Sequence, residues 1–157
     1  MILIIAERYI EAKDSVHYNQ LAKLSTGAND ESNIDSQRAF LLRQILFLGR
    51  TGMDWNKFIE KSRLYIHLYG IKQGDAICQY ALASKPSQEA LDFLIEMMNP
   101  VLAVRPYPDS YFMYGTLLWY TGKKDAADDY FQKALLKTSD AKTTEYYKKE
   151  IEAIKKE

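Results

Sequence analysis

Residues 108–140, PDSYFMYGTLLWYTGKKDAADDYFQKALLKTSD, decide the fold of this chain because they contain two matching helical stripes. In the first half, apolar and small residues recur at the three- and four-residue spacing that is typical of one face of an α-helix. These residues are Tyr111, Tyr114, Gly115 and Leu118. The second half repeats the spacing with Ala127, Tyr130, Phe131 and Ala134. The stretch therefore predicts two short amphipathic helices that pack against each other.

Small residues stand where the two predicted helices must touch. Gly115 lets a neighbouring backbone approach closely, and Gly122 supplies the turn between the helices. Ala127 and Ala134 leave room for the aromatic rings of both helices to interlock. We therefore expect Gly115 to face the second helix at closest approach, where a larger side chain would overpack the contact.

The pattern of these 33 residues resembles a tetratricopeptide repeat, a 34-residue helix–turn–helix unit. With Pro108 as the first position, six residues match the family pattern in register. They are Tyr111 at the fourth position, Gly115 at the eighth, Gly122 at the turn, Ala127 at the twentieth, Phe131 at the twenty-fourth and Ala134 at the twenty-seventh. Two positions depart from it, since Tyr114 replaces the usual leucine and Ser139 stands where proline is usual. Without that proline, the pattern does not define the angle to the last helix.

A single repeat cannot bury its own apolar face, so a second repeat is expected beside the first. The positions 34 residues before Tyr111 and Gly115 are Ile77 and Ala81, in the segment DAICQYALA. We interpret residues 74–107 as a degenerate repeat whose second helix is Gln88–Val104. The apolar stripe of that second helix consists of Ala90, Leu94, Met97 and Val101.

Residues 1–70 are interpreted as divergent helices. Residues 2–24 have a helical pattern, and residues 26–33 form a polar, turn-forming stretch. A strongly apolar helix begins at Ile34 or Asp35 and is expected to stop at Gly49. The helix that follows is capped by Asp54 and ends at Gly70.

The last segment, residues 141–157, is predicted to be a charged capping helix with a narrow apolar stripe of Tyr147, Ile151 and Ile154. Strand-like alternation does not persist anywhere in the sequence. We therefore predict a single all-α domain over residues 1–157. It consists of about eight antiparallel helices, stacked as a short superhelix or bundle of the tetratricopeptide type.

The composition excludes several classes of partner. Lys and Arg together number 21, as do Asp and Glu, and the two signs are interspersed. The sequence therefore predicts no positively charged surface for nucleic acid and contains no polybasic run for a membrane surface. No apolar run is long enough to span a membrane. A protein or peptide is the expected partner, and pairing with a second copy is left open. A complete chain would be cytoplasmic, whereas a fragment of a secreted parent would be periplasmic or in the cell envelope.

No catalytic, metal-binding or cofactor-binding residue is predicted, and we expect the chain not to be an enzyme. His17 and His67 are fifty residues apart and belong to no paired-ligand spacing. Cys78 lies among apolar neighbours on a predicted helix, so we interpret it as a buried small hydrophobe. A helical enzyme whose site is built from residues scattered in sequence stays an alternative.

The resemblance implies a function, since one face of each first helix in such repeats lines a groove that holds peptides. The residues implied by this pattern are Asp75, Cys78, Leu82, Lys85, Asp109, Phe112, Thr116 and Trp119. Phe112 and Trp119 fall off the predicted core stripe, so a partner or the amino-terminal helices must cover them. The groove lacks the cluster of Lys and Arg that captures peptide carboxylates in other members.

The sequence thus predicts a non-catalytic protein-interaction or scaffold module of the tetratricopeptide type. A second resemblance gives an alternative. The order of WNKFIEKSRLY, DAICQYALA and DSYFMYGTLLWYTGKK looks like the helical region that follows a thioredoxin-like module in some bacterial secreted proteins. This alternative makes the chain an accessory domain of a larger protein, without redox activity because the sequence contains no CxxC motif.

Overall fold

A computed structural model of the chain describes residues 34–156, and over this range it contains seven α-helices, one short 3-10 turn and no strand. The helices are α1 (Ile34–Thr51), α2 (Trp55–Tyr69), α3 (Gly74–Leu82), α4 (Gln88–Val104), α5 (Pro108–Tyr120), α6 (Lys124–Lys137) and α7 (Ala141–Lys156). The 3-10 turn is Ile71–Gln73. The predicted all-α class is confirmed. The expected helix over residues 2–24 and the expected loop over residues 26–33 lie outside the described residues.

Local side chains and glycine define several helix ends. The Asp54 side chain accepts a hydrogen bond from the backbone N–H of Lys57 at 2.9 Å, as an N-cap does. Helix α2 ends at Gly70, whose φ of 77° is a left-handed value that favours glycine. At the start of α7, Asp140 accepts from the Thr143 hydroxyl and backbone N–H, and these hydrogen bonds lower the pKa of its carboxyl group.

The expected end of α1 at Gly49 is wrong, because the helix continues to Thr51. Gly49 serves a close packing contact instead. A Cβ atom at Gly49 would lie 3.1 Å from Cε2 of Phe58 and 3.2 Å from the backbone nitrogen of Ala81. The chain turns at Gly52, which has a φ of 62°.

The chain divides into two compact units. Of the described residues, 34–70 and 80–86 belong to the first unit, and 71–79 and 87–156 belong to the second. Helix α3 therefore contributes its first six residues to the second unit and its last three to the first. The single domain expected from the sequence stays a prediction.

In the first unit, α1 packs against α2. Ile45 and Phe47 of α1 and Phe58 and Tyr65 of α2 are buried, with at most 1% of each residue exposed. The ring of Trp55 meets Phe58 edge to face at 5.4 Å between centroids. The Tyr65 hydroxyl accepts a hydrogen bond from the Arg38 guanidinium at 3.1 Å, so the polar end of this buried ring has a partner.

Ser62 lies on the buried stripe of α2, between Phe58 and Tyr65. It is fully buried, and its hydroxyl has no hydrogen-bond partner among the residues that the structure describes. A buried hydroxyl without a partner carries an uncompensated desolvation cost.

We therefore expect a Ser62→Ala variant to be more stable than the native chain by about 1 kcal/mol, because it removes this cost and improves helix propensity. Chemical denaturation followed by circular dichroism measures the difference. A lower free energy of unfolding in the variant would show that the hydroxyl makes a stabilising contact.

The second unit is built around the pair of α5 and α6, onto which α4 and α7 pack. The predicted stripe of α4, Ala90, Leu94, Met97 and Val101, is buried, which confirms its inward orientation. The Tyr114 hydroxyl donates to Oδ1 of Asn99 at 2.7 Å and joins α5 to α4. The predicted stripe of α7 is also buried, and it consists of Tyr147, Ile151 and Ile154.

The contact between α5 and α6 forms where the sequence predicts it. A Cβ atom at Gly115 would lie 2.7 Å from Cδ1 of Phe131 and 3.2 Å from the carbonyl oxygen of Ala127. Only glycine fits this approach without displacing its neighbours. Gly122 makes the turn between the helices with a φ of 79°. The expected closest approach at Gly115 is confirmed.

Candidate binding face of the second unit

The candidate face of the second unit lies on α5 and consists of Asp109, Phe112, Thr116 and Trp119, which we call the α5 face. Their spacing of three, four and three residues places them along one side of the helix. This side differs from the stripe that contains Gly115 and packs on α6. The α5 face is therefore centred away from the Gly115 contact, although Phe112 and Trp119 also reach α6 at its edge.

Helix α7 covers Phe112. The ring of Phe112 stacks on Tyr147 with centroids 5.0 Å apart and planes inclined by 18°. The Phe112 ring also lies 5.9 Å from the ring of Phe131 of α6, centroid to centroid. From the sequence we expected either a partner or the amino-terminal helices as the cover, and did not consider the last helix. In the second unit, α7 provides this contact.

Trp119 is half-buried beneath two lysines. Nζ of Lys124 lies 4.8 Å from the centroid of its ring, and Nζ of Lys155 lies 5.6 Å away. Both distances allow a cation–π interaction. Lys155 also forms an ion pair with the carboxylate of Asp128. A lysine from α7 is thus held between the indole and a carboxylate of α6.

Asp109 begins the α5 face and receives a hydrogen bond from the Tyr147 hydroxyl. Burial raises the pKa of Tyr147, and the neighbouring carboxylate raises it further. Tyr147 therefore stays protonated at neutral pH and donates to Asp109. One side chain of α7 thus gives the α5 face both a stacked ring and a hydroxyl donor.

Asp75 of α3 has partners within the second unit. Its carboxylate accepts from Oγ of Ser110 at 2.9 Å and lies 3.4 Å from Nη1 of Arg105. About a quarter of its side chain is exposed, so the ion pair is partly screened by solvent. This cluster joins the start of α3 to the start of α5.

Thr116 and Cys78 are both interior residues. Thr116 is buried, and its hydroxyl donates to the carbonyl oxygen of Phe112 at 3.0 Å, within its own helix. Cys78 is fully buried in α3, as expected from the sequence. Burial raises the pKa of its thiol, and Asp75 raises it further. Neither side chain is exposed to a ligand.

We expect the Cys78 thiol to react with a thiol reagent at pH 8 at least about tenfold more slowly in the folded chain than in denaturant. Burial keeps both the reagent and hydroxide away, and the raised pKa reduces the fraction of reactive thiolate. Absorbance at the wavelength of the released chromophore gives both rates. Equal rates would contradict a shielded thiol.

Leu82 and Lys85, the remaining candidate residues, belong to the first unit. Leu82 is the last residue of α3 and is half-buried. Lys85 follows in the loop, is exposed, and has a φ of 50°, an uncommon value for a residue with a side chain. The repeat pattern predicts these two residues on the same face as the other candidates.

The sequence also left out several residues that contact the α5 face or the Asp75 cluster. The stripe of α7 predicted the burial of Tyr147, but not its contacts with Asp109 and Phe112. The sequence does not distinguish Lys155 as a contact of Trp119, because this lysine lies in a segment rich in Lys and Glu. Ser110 lies one residue from the candidate Asp109, and its spacing gave no indication that it would donate to Asp75.

Residues 34–156 contain no group of three or more His, Cys, Asp or Glu side chains placed to hold a metal ion. None of the helices in this range has the length and hydropathy required to cross a membrane. No protein-family model, curated protein or solved structure matches the chain. The resemblance to tetratricopeptide repeats accordingly stays a prediction based on the residues quoted above.

Proposed function

We propose that this chain is a non-catalytic protein-interaction or scaffold module built from helix pairs of the tetratricopeptide type. The observation that carries the proposal is the α5–α6 pair. Gly115 packs on Phe131 and Ala127, which are three of the positions that match the repeat pattern. The α5 face lies on a different side of α5 from Gly115, and in repeats of this kind that face is where a ligand binds.

The chemistry of the α5 face supports recognition of a protein. Phe112 and Trp119 offer large ring surfaces, and Asp109 offers a carboxylate at one end of the row. Aromatic side chains beside a few polar groups are typical of the residues that dominate binding energy in protein interfaces. A helical or extended segment that takes the place of α7 along α5 would contact all three.

The proposal is tested by recovering a partner with the tagged full chain from its source cells, purifying it and rebuilding the complex from the two components. We expect a stoichiometric complex in size-exclusion chromatography and a dissociation constant measurable by calorimetry. Failure of every recovered protein to bind the purified chain would overturn the proposed function.

Once the partner is purified, we expect Trp119→Ala to weaken its binding by about tenfold or more, because truncating a large aromatic residue is costly in an interface. The control is Leu136→Ala on the outer surface of α6, where Leu136 is 83% exposed. Calorimetry with both variants gives the comparison, and circular dichroism checks that each retains its helicity. Equal affinities would place the interface elsewhere on the chain.

A further inference from the structure

Helix α7 lies on the α5 face as a ligand would, and its side chains indicate what kind of partner this face fits. We infer that the α5 face is a docking surface for an amphipathic helix of a partner protein, and that α7 is the intramolecular occupant which this helix displaces. The inference rests on the proposed function, since it names the class of partner for the same site.

Contacts at both ends of the α5 face define the direction of the bound helix. Tyr147 meets Asp109 and Phe112 near the start of α5, and Lys155 meets Trp119 near its end. The two α7 residues are eight apart, which corresponds to about 12 Å along a helix. Helix α7 therefore runs along the face in the same direction as α5.

Each contact specifies a side chain that the partner helix should carry. The Asp109 carboxylate and the Phe112 ring together select a tyrosine, which supplies both a hydroxyl donor and a ring to stack. The Trp119 indole and the Asp128 carboxylate together select a lysine or arginine. Between these ends, Ile151 and Ile154 are buried. The implied motif is tyrosine, aliphatic, aliphatic and a basic residue at positions i, i+4, i+7 and i+8.

The packing of α7 suits an occupant that can be displaced. It buries a narrow stripe of three side chains, in which Tyr147 is 2% exposed and Ile151 and Ile154 keep 8% and 9% of their surface exposed. Much of the rest of α7 consists of solvated charges, such as the ion pair of Glu145 with Lys149. Displacing α7 would leave the contact of Gly115 with Phe131 in place.

The test uses a fluorescent synthetic peptide of residues 141–157 as the probe and measures its binding to the purified full chain by anisotropy. In one variant, Ile151→Asp with Ile154→Asp weakens the hold of the chain's own α7. A milder variant, Tyr147→Phe with Lys155→Ala, removes the hydroxyl and the cation but keeps the apolar stripe. A control peptide carries Tyr147→Ala.

We expect the aspartate variant to bind the probe at least about tenfold more tightly than the native chain, and the milder variant to fall between them. The control peptide should bind the aspartate variant at least about tenfold more weakly than the probe does. If the aspartate variant loses more helicity than unfolding of α7 alone would remove, only the binding of the probe to the milder variant tests the inference. The inference is overturned if the probe binds the native chain as tightly as it binds the variant used for the test. It is also overturned if the probe and the control peptide bind that variant equally.

The outcomes separate this inference from the proposed function. A partner that rebuilds a complex with the native chain, together with a probe that binds no variant, would overturn the docking surface and leave the interaction function standing. Light scattering adds a further check. A dimer that forms by exchange of α7 would make a second copy the occupant, which would overturn the assignment to a partner protein.

Discussion

A Gly115→Leu variant is expected to be less stable than the native chain by about 2 kcal/mol or more, because overpacking a close helix contact outweighs the gain in helix propensity. The first atom of the new side chain already collides, since a Cβ at this position lies 2.7 Å and 2.8 Å from two carbons of the Phe131 ring. The Ala127 carbonyl oxygen lies 3.2 Å from the same Cβ position and leaves little room there as well. Urea denaturation followed by circular dichroism measures the loss.

A matched control for this substitution lies on α6. Ala126 is exposed, so Ala126→Leu adds the same side chain without a collision, and we expect its free energy of unfolding to stay within about 0.5 kcal/mol of the native value. An unchanged or raised unfolding midpoint for Gly115→Leu would mean that α5 and α6 do not approach closely at this residue.

The second large effect is expected in the first unit. Replacing Phe58 with alanine should cost about 3 to 5 kcal/mol, because the change removes a fully buried ring and leaves a cavity. Phe58 lies against Gly49 and meets the ring of Trp55 edge to face, so both helices of the unit lose contacts. The fluorescence of Trp55 in a Trp119→Phe background reports unfolding of this unit.

The control for Phe58→Ala is Leu64→Ala on the same helix, where Leu64 is 48% exposed. We expect this change to cost less than about 1 kcal/mol, because little apolar surface is lost from the core. Similar losses in the two variants would mean that Phe58 is not at the centre of the α1–α2 contact.

The helices of the second unit were predictable because their signals are local. The expected helix Gln88–Val104 agrees with α4 at both ends. The buried stripes of α4 and α7 follow from the spacing of apolar residues, since three- and four-residue repeats share a face on any α-helix. The Gly115 contact was also predictable, because a glycine in the middle of such a stripe has little reason to be there except close packing.

The predicted end of α1 at Gly49 was wrong because the local sequence does not determine it. After an apolar run, a glycine is a reasonable helix end, and the sequence offers Gly52 three residues later as a second choice. The choice depends on Phe58 and Ala81, which press against Gly49 from segments 9 and 32 residues away in sequence. Local propensity contains no information about that contact, so tertiary packing determined the helix end.

By itself, the sequence determined which residues of α5 face α6 and which face away, because helical periodicity assigns every side chain to a side. Only the tertiary structure decided what lies on the α5 face. The contact of Tyr147 with Asp109 joins residues 38 positions apart, and it depends on the angle at which the chain leaves α6. Ser139 stands where the repeat pattern usually has proline, so the pattern does not define that angle. The position of α7 therefore follows from the burial of its own stripe against α5 and α6, a property of the folded chain and not of any one segment.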